Sequence, residues 1–329
     1  IWILGAARVF TGIGIGGLLA AATATSSDFC NDRNRSLAVV LVAGGFAFGV
    51  YLGATFLAPL LKQFDWRVTF YLGAFFSLLF IPLVSFLVPE TVTFLERKRP
   101  DNALERIQAI MRRLGHSVPE SLPSPETRVV APVGIPSLFK PGLAPITCIL
   151  LFAYLGNVGT YYYFVKWIPT IVSDFGYSSS EATTVLGIIS LGGVIGSIGL
   201  GIVARFLPIR PLMVLCLISA AIGVAVFPHF TDTLQSMKLI GFFAGLFIFA
   251  AISGFFGLFA VSYPSSLLGS GSGLVLGVGR GGAVLGPMIP GFLFAAGVAL
   301  QSIAIIMASG SFLAGLAVMF LRPQAEPSS

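Results

Sequence analysis

The sequence predicts an all-α integral membrane protein with nine membrane-spanning helices. Three observations carry this. Only 10% of the 329 residues are charged and 56% are hydrophobic, whereas a typical soluble domain is about 25% charged. The charge is too sparse to coat a water-exposed surface. The apolar residues come in blocks long enough to cross about 30 Å of hydrocarbon. The charges sit between those blocks, so the formal net charge of +6 reads as topology charge and points to no nucleic-acid partner.

The blocks fall at residues 1–25, 37–61, 68–88, 143–172, 182–204, 211–227, 239–261, 270–296 and 300–321. One long polar link, 89–142, separates the first three from the last six. Of the 19 Lys and Arg residues, thirteen fall on one set of alternating loops, including the run from Arg97 to Arg113. Lys62, Arg67 and Lys238 fall on the other set. The positive-inside rule places the long link and the C-terminus in the cytoplasm, with a bacterial inner membrane as the expected location.

Three spans plus six is an uneven number for a transporter built from three-span repeats. The chain opens at Ile1 inside an apolar run. The expectation is that a further three-span unit precedes it. Residues 1–88 then form the second half of an N-terminal six-helix bundle, 89–142 a linker, and 143–329 a C-terminal six-helix bundle. Within the linker, Leu104, Ile107, Ile110, Met111 and Leu114 form an apolar stripe, with Asp101 as expected cap and Gly115 as stop. This predicts an amphipathic helix lying against the membrane surface; a regulatory partner site is the alternative.

With 39 glycines, the helices are expected to approach closely. Spacings of four recur at Gly45, Gly49 and Gly53, at Gly192 and Gly196, and at Gly269, Gly273, Gly277 and Gly281. Each places glycines on one helix face, either for sliding contacts or for static packing. The G-x-G-x-x-G pattern at 277–282 lies in mid-span, not between a strand and a helix, and is no dinucleotide site. Cys30, Cys148 and Cys216 lack metal-ligand spacing and read as packing residues.

The candidate substrate-binding residues are Arg280, Arg8, Lys166, Asn157, Tyr161 and Tyr162. A charge inside the bilayer costs about 2.5–3.5 kcal/mol on insertion scales, so such residues face a cavity or a partner. Arg280 lies roughly ten residues into its span, about 15 Å deep at the helical rise. That is too deep for easy snorkelling, and a substrate path or an internal ion pair would explain it. Arg8 lies in the first block. Lys166 lies near a span end, where it can snorkel. No Asp or Glu lies in the interior of a span. An anionic substrate is one partner for the cations, and carboxylates outside this chain are another. The block holding Asn157 is rich in aromatics, among them Tyr154, Tyr161, Tyr162, Tyr163, Phe164 and Trp167. It reads either as an interfacial belt or as a wall for a planar ligand. The spans contain no His, Asp or Glu, so no nucleophile, base or metal set is expected for an intramembrane enzyme. No cofactor is expected.

Several motifs are similar to those of the major facilitator superfamily. They are Arg8 to Gly17, Asp28 to Arg35, Pro89-Glu90-Thr91, Gly201 to Arg210, and Tyr263-Pro264 followed by Gly271 to Gly291. Within it the chain most resembles the aromatic acid:proton symporters. That rests on Thr93-Phe94-Leu95, Arg99-Pro100, Asn102-Ala103, Lys166-Trp167-Ile168-Pro169, Phe175-Gly176-Tyr177-Ser178 and Gly277-Val278-Gly279-Arg280. The resemblance implies a twelve-helix fold, of which this chain supplies spans four to twelve, and alternating access. It implies proton-driven symport of small organic acids, aromatic carboxylates above all, with Arg8 and Arg280 on the substrate path. The partners are then the organic acid, protons and the lipid bilayer. The coupling carboxylate would lie in spans one to three. A facilitator for a dicarboxylate, sugar or drug, and a nutrient sensor that binds without translocating, are the alternatives.

Overall fold

A computed structural model describes the backbone of residues 2–29, 32–100, 102–115, 117–119, 121–122 and 135–321. Side chains at some helical positions, Arg8 among them, fall outside the description, as do Cys30, Asp101 and His116. Among the described residues the regular structure is helical throughout. In order the α-helices are α1 (Trp2–Asp28), α2 (Asp32–Leu60), α3 (Val68–Leu87), α4 (Val92–Lys98), α5 (Ala103–Leu114) and α6 (Ala144–Asp174). They continue with α7 (Ser179–Val203), α8 (Ile209–Val226), α9 (Leu234–Ser262), α10 (Ser265–Gly279), α11 (Gly281–Ala295) and α12 (Leu300–Met319).

Seven segments among the described residues are long and apolar enough to cross a bilayer, and Gly44–Leu60 is a shorter apolar helix. The segment expected at 270–296 comprises α10 and α11, which meet at Arg280. Arg280 keeps helical dihedrals (φ −60°, ψ −19°), and its N–H reaches the carbonyls of both Leu276 and Gly277. The two helices therefore run on as one span with a bifurcated bond at a glycine-rich joint. Large apolar side chains such as Leu215, Ile222 and Phe292 stand exposed, as hydrocarbon permits and water does not.

The chain divides into two compact units. One holds residues 1–42 and 66–131, the other 43–65 and 132–329. In the first unit, Thr91 caps α4 by accepting from Phe94 N–H at 3.2 Å. Helix α5 ends at Gly115, whose φ of +74° suits glycine. Its N-cap position is Asn102, without a side-chain cap bond. The apolar stripe is partly seated: Ile107 is buried, together with Ala103 on α5 and Leu95 on α4, while Leu114 stays exposed. Glu90 pairs with Arg106 at 3.1 Å across this hairpin. Both groups are half exposed, so the pair contributes at most about 1 kcal/mol.

The second unit is packed through glycines. A Cβ at Gly196 would overlap the Leu246 carbonyl, and one at Gly245 the Ile189 carbonyl, so α7 and α9 meet backbone to backbone. Gly156 and Gly310 do the same for α6 and α12, and Gly282 and Gly286 for α11 on α6. The Gly192/Gly196 stripe therefore serves close packing inside the unit. By contrast, no described residue lies within 4 Å of a Cβ at Gly45, Gly49, Gly53, Gly269, Gly273 or Gly277. Those faces are open.

Polar side chains finish the packing. The Phe175-Gly176-Tyr177-Ser178 motif is a turn: Gly176 takes φ +90°, and Ser178 forms a reciprocal capping box with Glu181. Tyr263 is buried and donates to Thr147 Oγ1 at 3.2 Å, while Thr147 donates to the Leu138 carbonyl at 3.1 Å. Burial raises the Tyr263 phenol above its ordinary pKa, with the Thr147 bond opposing. The phenol therefore stays a neutral donor. Thr160 on α6 donates to Met307 O at 2.6 Å and accepts from Ser311 N–H at 3.0 Å, locking α6 to α12. Thr160→Val keeps the shape and loses the hydroxyl. It should lower stability by about 1 kcal/mol, the usual worth of an interhelical hydrogen bond in a membrane protein. The midpoint of thermal unfolding in detergent checks this; an unchanged midpoint would mean the clamp carries no stability.

Candidate functional site

Four of the predicted residues, Asn157, Tyr161, Tyr162 and Lys166, lie on α6, and Arg280 follows Gly279, which packs on α6. Asn157 and Tyr161 are one turn apart, so they share a face. Both are buried, Asn157 at 0% and Tyr161 at 2% exposure. Asn157 Oδ1 accepts from Ser311 Oγ at 2.9 Å. Neither Asn157 Nδ2 nor the Tyr161 hydroxyl has a hydrogen-bond partner among the described residues. A buried unpaired polar group costs about 1–3 kcal/mol. Two such donors on one face of a single helix therefore point to a bound group that would satisfy them.

Aromatic rings pack around Tyr161. Tyr161 meets Phe249 at 5.0 Å and Tyr162 at 5.1 Å, both edge to face, and Phe46 at 6.4 Å. Tyr154, one turn before Val158, packs edge-on against Phe255 at 5.1 Å. Gly279 passes so close to the Tyr154 ring that a Cβ there would overlap it, which sets the register of the α10–α11 joint on α6. Arg280 follows directly, and its guanidinium lies within electrostatic reach of the Tyr154 and Tyr161 phenols. Arg280 is exposed and forms no ion pair among the described residues. Such a set can hold a planar apolar ring between aromatic edges, pair one negative charge, and donate two neutral hydrogen bonds.

Lys166 does not join this cluster. Lys166 is exposed, and its position along α6 puts it on a different face from Tyr161. Its neighbour Trp167 instead joins α6 to α11, donating to Pro287 O at 3.1 Å and stacking 4.8 Å from Phe294. Arg8 lies on α1 in the other unit. A cavity of about 240 Å³ between α2 and α7, lined by Tyr51, Ala54, Thr55, Ala58 and Thr184, contains none of the predicted residues. Ser180 donates across that interface to Ala58 O at 2.7 Å.

Sequence reasoning missed Ser311, Thr160, Phe249 and Phe46. Ser311 had one legible signal: it is a hydroxyl inside an apolar block, beside a glycine. Phe46 and Phe249 had none, because each is one of 30 phenylalanines in the chain.

The chain is similar to known proteins along nearly its whole length. The 3-(3-hydroxy-phenyl)propionate transporter of Escherichia coli (strain K12) is 28% identical over 316 residues, covering 96% of this chain and 70% of the relative. The gallate transporter of Pseudomonas putida is 28% identical over 319 residues, covering 95% of this chain and 70% of the relative. The 4-hydroxybenzoate transporter PcaK of Acinetobacter baylyi is 29% identical over 292 residues, covering 86% and 63%. In fold, the chain is similar to the proton:xylose symporter XylE, with a TM-score of 0.63 at 16% identity, covering 96% of this chain and 70% of that one. The profile described as the Major Facilitator Superfamily matches residues 1–281, more than half the chain, and the protein belongs to that superfamily.

Proposed function

We propose that this protein is a proton-coupled symporter of small aromatic carboxylates that works by alternating access. The observation that carries the reading is the α6 face. Asn157 Nδ2 and the Tyr161 hydroxyl are buried without partners among the described residues, aromatic rings flank Tyr161, and Arg280 stands within electrostatic reach of its phenol. An aromatic acid matches each part. Its ring fills the aromatic wall, its carboxylate takes the guanidinium, and its oxygens take the donors. The relatives named above as transporters of aromatic acids support the same substrate class.

In this reading Arg280, Asn157, Tyr161 and Tyr162 contact the substrate. Arg8 is a second candidate cation on its own unit, and Lys166 acts at the mouth of the path. The open glycine faces on α2 and α10 suit helices that slide during the cycle. Proton coupling rests on the resemblance to aromatic acid:proton symporters. The bundle division at 89–142, a cytoplasmic linker and C-terminus, and a bacterial inner membrane complete the proposal.

The test is uptake of labelled 4-hydroxybenzoate into proteoliposomes under an imposed inward proton gradient, beside a neutral sugar. The expected result is gradient-driven accumulation of the acid and none of the sugar. Sugar accumulation without acid uptake would remove the organic-anion reading. Acid binding without flux under any gradient would make the protein a sensor.

A further inference from the structure

Hydroxyls in these helices usually turn back on their own chain. Thr184, Ser190 and Ser272 each donate to the carbonyl four residues earlier, the default for a helical Ser or Thr. Ser311 departs from it. The carbonyl four residues before it, Met307 O, already accepts the Thr160 hydroxyl at 2.6 Å. Ser311 Oγ instead crosses to α6 and donates to Asn157 Oδ1 at 2.9 Å. Ser311 N–H is held by Thr160 Oγ1 at 3.0 Å, and Gly156 against Gly310 brings the two backbones into contact. The geometry of this crossing is therefore fixed from both sides.

This crossing sets the polarity of Asn157. An amide offers a donor end and an acceptor end, and rotation by half a turn exchanges them. With Oδ1 engaged by a hydroxyl proton, the end left over is Nδ2, which can only donate. It is that atom which is buried without a partner among the described residues.

We infer that Ser311 is a positioning residue for specificity: it fixes Asn157 as a donor, so that the site selects aromatic acids bearing an oxygen acceptor, such as a ring hydroxyl, and disfavours those bearing an N–H donor at the same place. The inference rests on the proposed aromatic acid site, with the carboxylate taken by Arg280 and the second polar group by Asn157. Ser311 touches no substrate in this scheme; it acts through the amide. Removing its hydroxyl frees the amide to rotate and lets the site accept either polarity.

The experiment compares KM for 4-hydroxybenzoate and 4-aminobenzoate in proteoliposomes holding the protein or its variants. The wild type should favour the hydroxy acid by about tenfold, the worth of one satisfied hydrogen bond. Ser311→Ala should bring the ratio to within about twofold by improving the amino acid analogue. Ser311→Thr keeps the hydroxyl and should keep the wild-type ratio, which a purely structural role for Ser311 would not predict. Asn157→Asp offers only acceptors and should turn the preference toward the amino compound, an independent reading if Ser311→Ala does not fold. A wild-type ratio in Ser311→Ala, or in Asn157→Asp, overturns the inference while leaving aromatic acid transport intact. Absence of uptake of either acid by the wild type would instead defeat the proposed function on which the inference stands.

Discussion

Arg280→Ala is expected to raise KM for an aromatic carboxylate roughly 10- to 150-fold, from the loss of a charge-assisted hydrogen bond worth about 1.5–3 kcal/mol. Its folding should be unaffected. The Arg280 backbone makes the bonds that carry the α10–α11 joint, through its N–H to Leu276 O and Gly277 O and through its carbonyl to Ala283 N–H. Alanine makes them as well. The side chain is exposed and pairs with no carboxylate among the described residues, so its removal strands no buried anion. Arg280→Lys separates charge from shape. Lysine keeps the positive charge and loses the planar fork that binds carboxylate through two parallel bonds, so it should fall between alanine and wild type. Initial rates of labelled 4-hydroxybenzoate uptake across a concentration series measure both. Wild-type KM in Arg280→Ala would show that the substrate charge is met elsewhere, with Arg8 the next residue to replace.

The second large effect is on stability. Gly196→Ala and Gly245→Ala should each cost about 1–3 kcal/mol, as overpacking does in a tight interface. The obstacle at each is a backbone carbonyl, Leu246 O or Ile189 O. A carbonyl in a helix cannot rotate away as a side chain could, so relief requires α7 and α9 to separate. The double variant need not be additive, because both changes press on the same interface. Gly45→Ala and Gly273→Ala are the matched controls. No described residue lies within 4 Å of a Cβ at either position, and alanine is the better helix former by up to about 1 kcal/mol. These two should leave stability equal or raised. Heating in detergent followed by size-exclusion chromatography reads all four. If the controls fall as far as Gly196→Ala, glycine is needed for helix flexibility and not for close approach.

The glycine stripes also show where sequence reading stopped. All three have the same four-residue spacing, and spacing says only that the glycines share a face. Whether that face meets a carbonyl, as Gly196 does, or open space, as Gly273 does, depends on another helix far away in sequence. The same limit applied to the polar residues. Asn157 and Tyr161 stood out as a polar amide and a tyrosine inside an apolar block; α6 puts them on one face. Their missing partners could not be seen, because the atom that satisfies Asn157 Oδ1 belongs to Ser311, 154 residues later. The linker helix showed a third form of it. Its stripe and its stop at Gly115 were legible because both are local. The Glu90–Arg106 contact and the burial of Ile107 beside Leu95 required the hairpin to close.

By itself, then, the sequence determined the solvent and the all-helical class. Sparse charge and long apolar blocks admit only a helical membrane protein, because a backbone in hydrocarbon must satisfy its own hydrogen bonds within each segment. That constraint is local, so it is written in consecutive residues. Tertiary structure alone decided which polar groups are paired and which are left over. Pairing depends on atoms a few ångströms apart in space and more than a hundred residues apart in the chain: Thr160 with Met307, Ser311 with Asn157, Trp167 with Pro287. What those pairs leave unsatisfied on α6 is the candidate site.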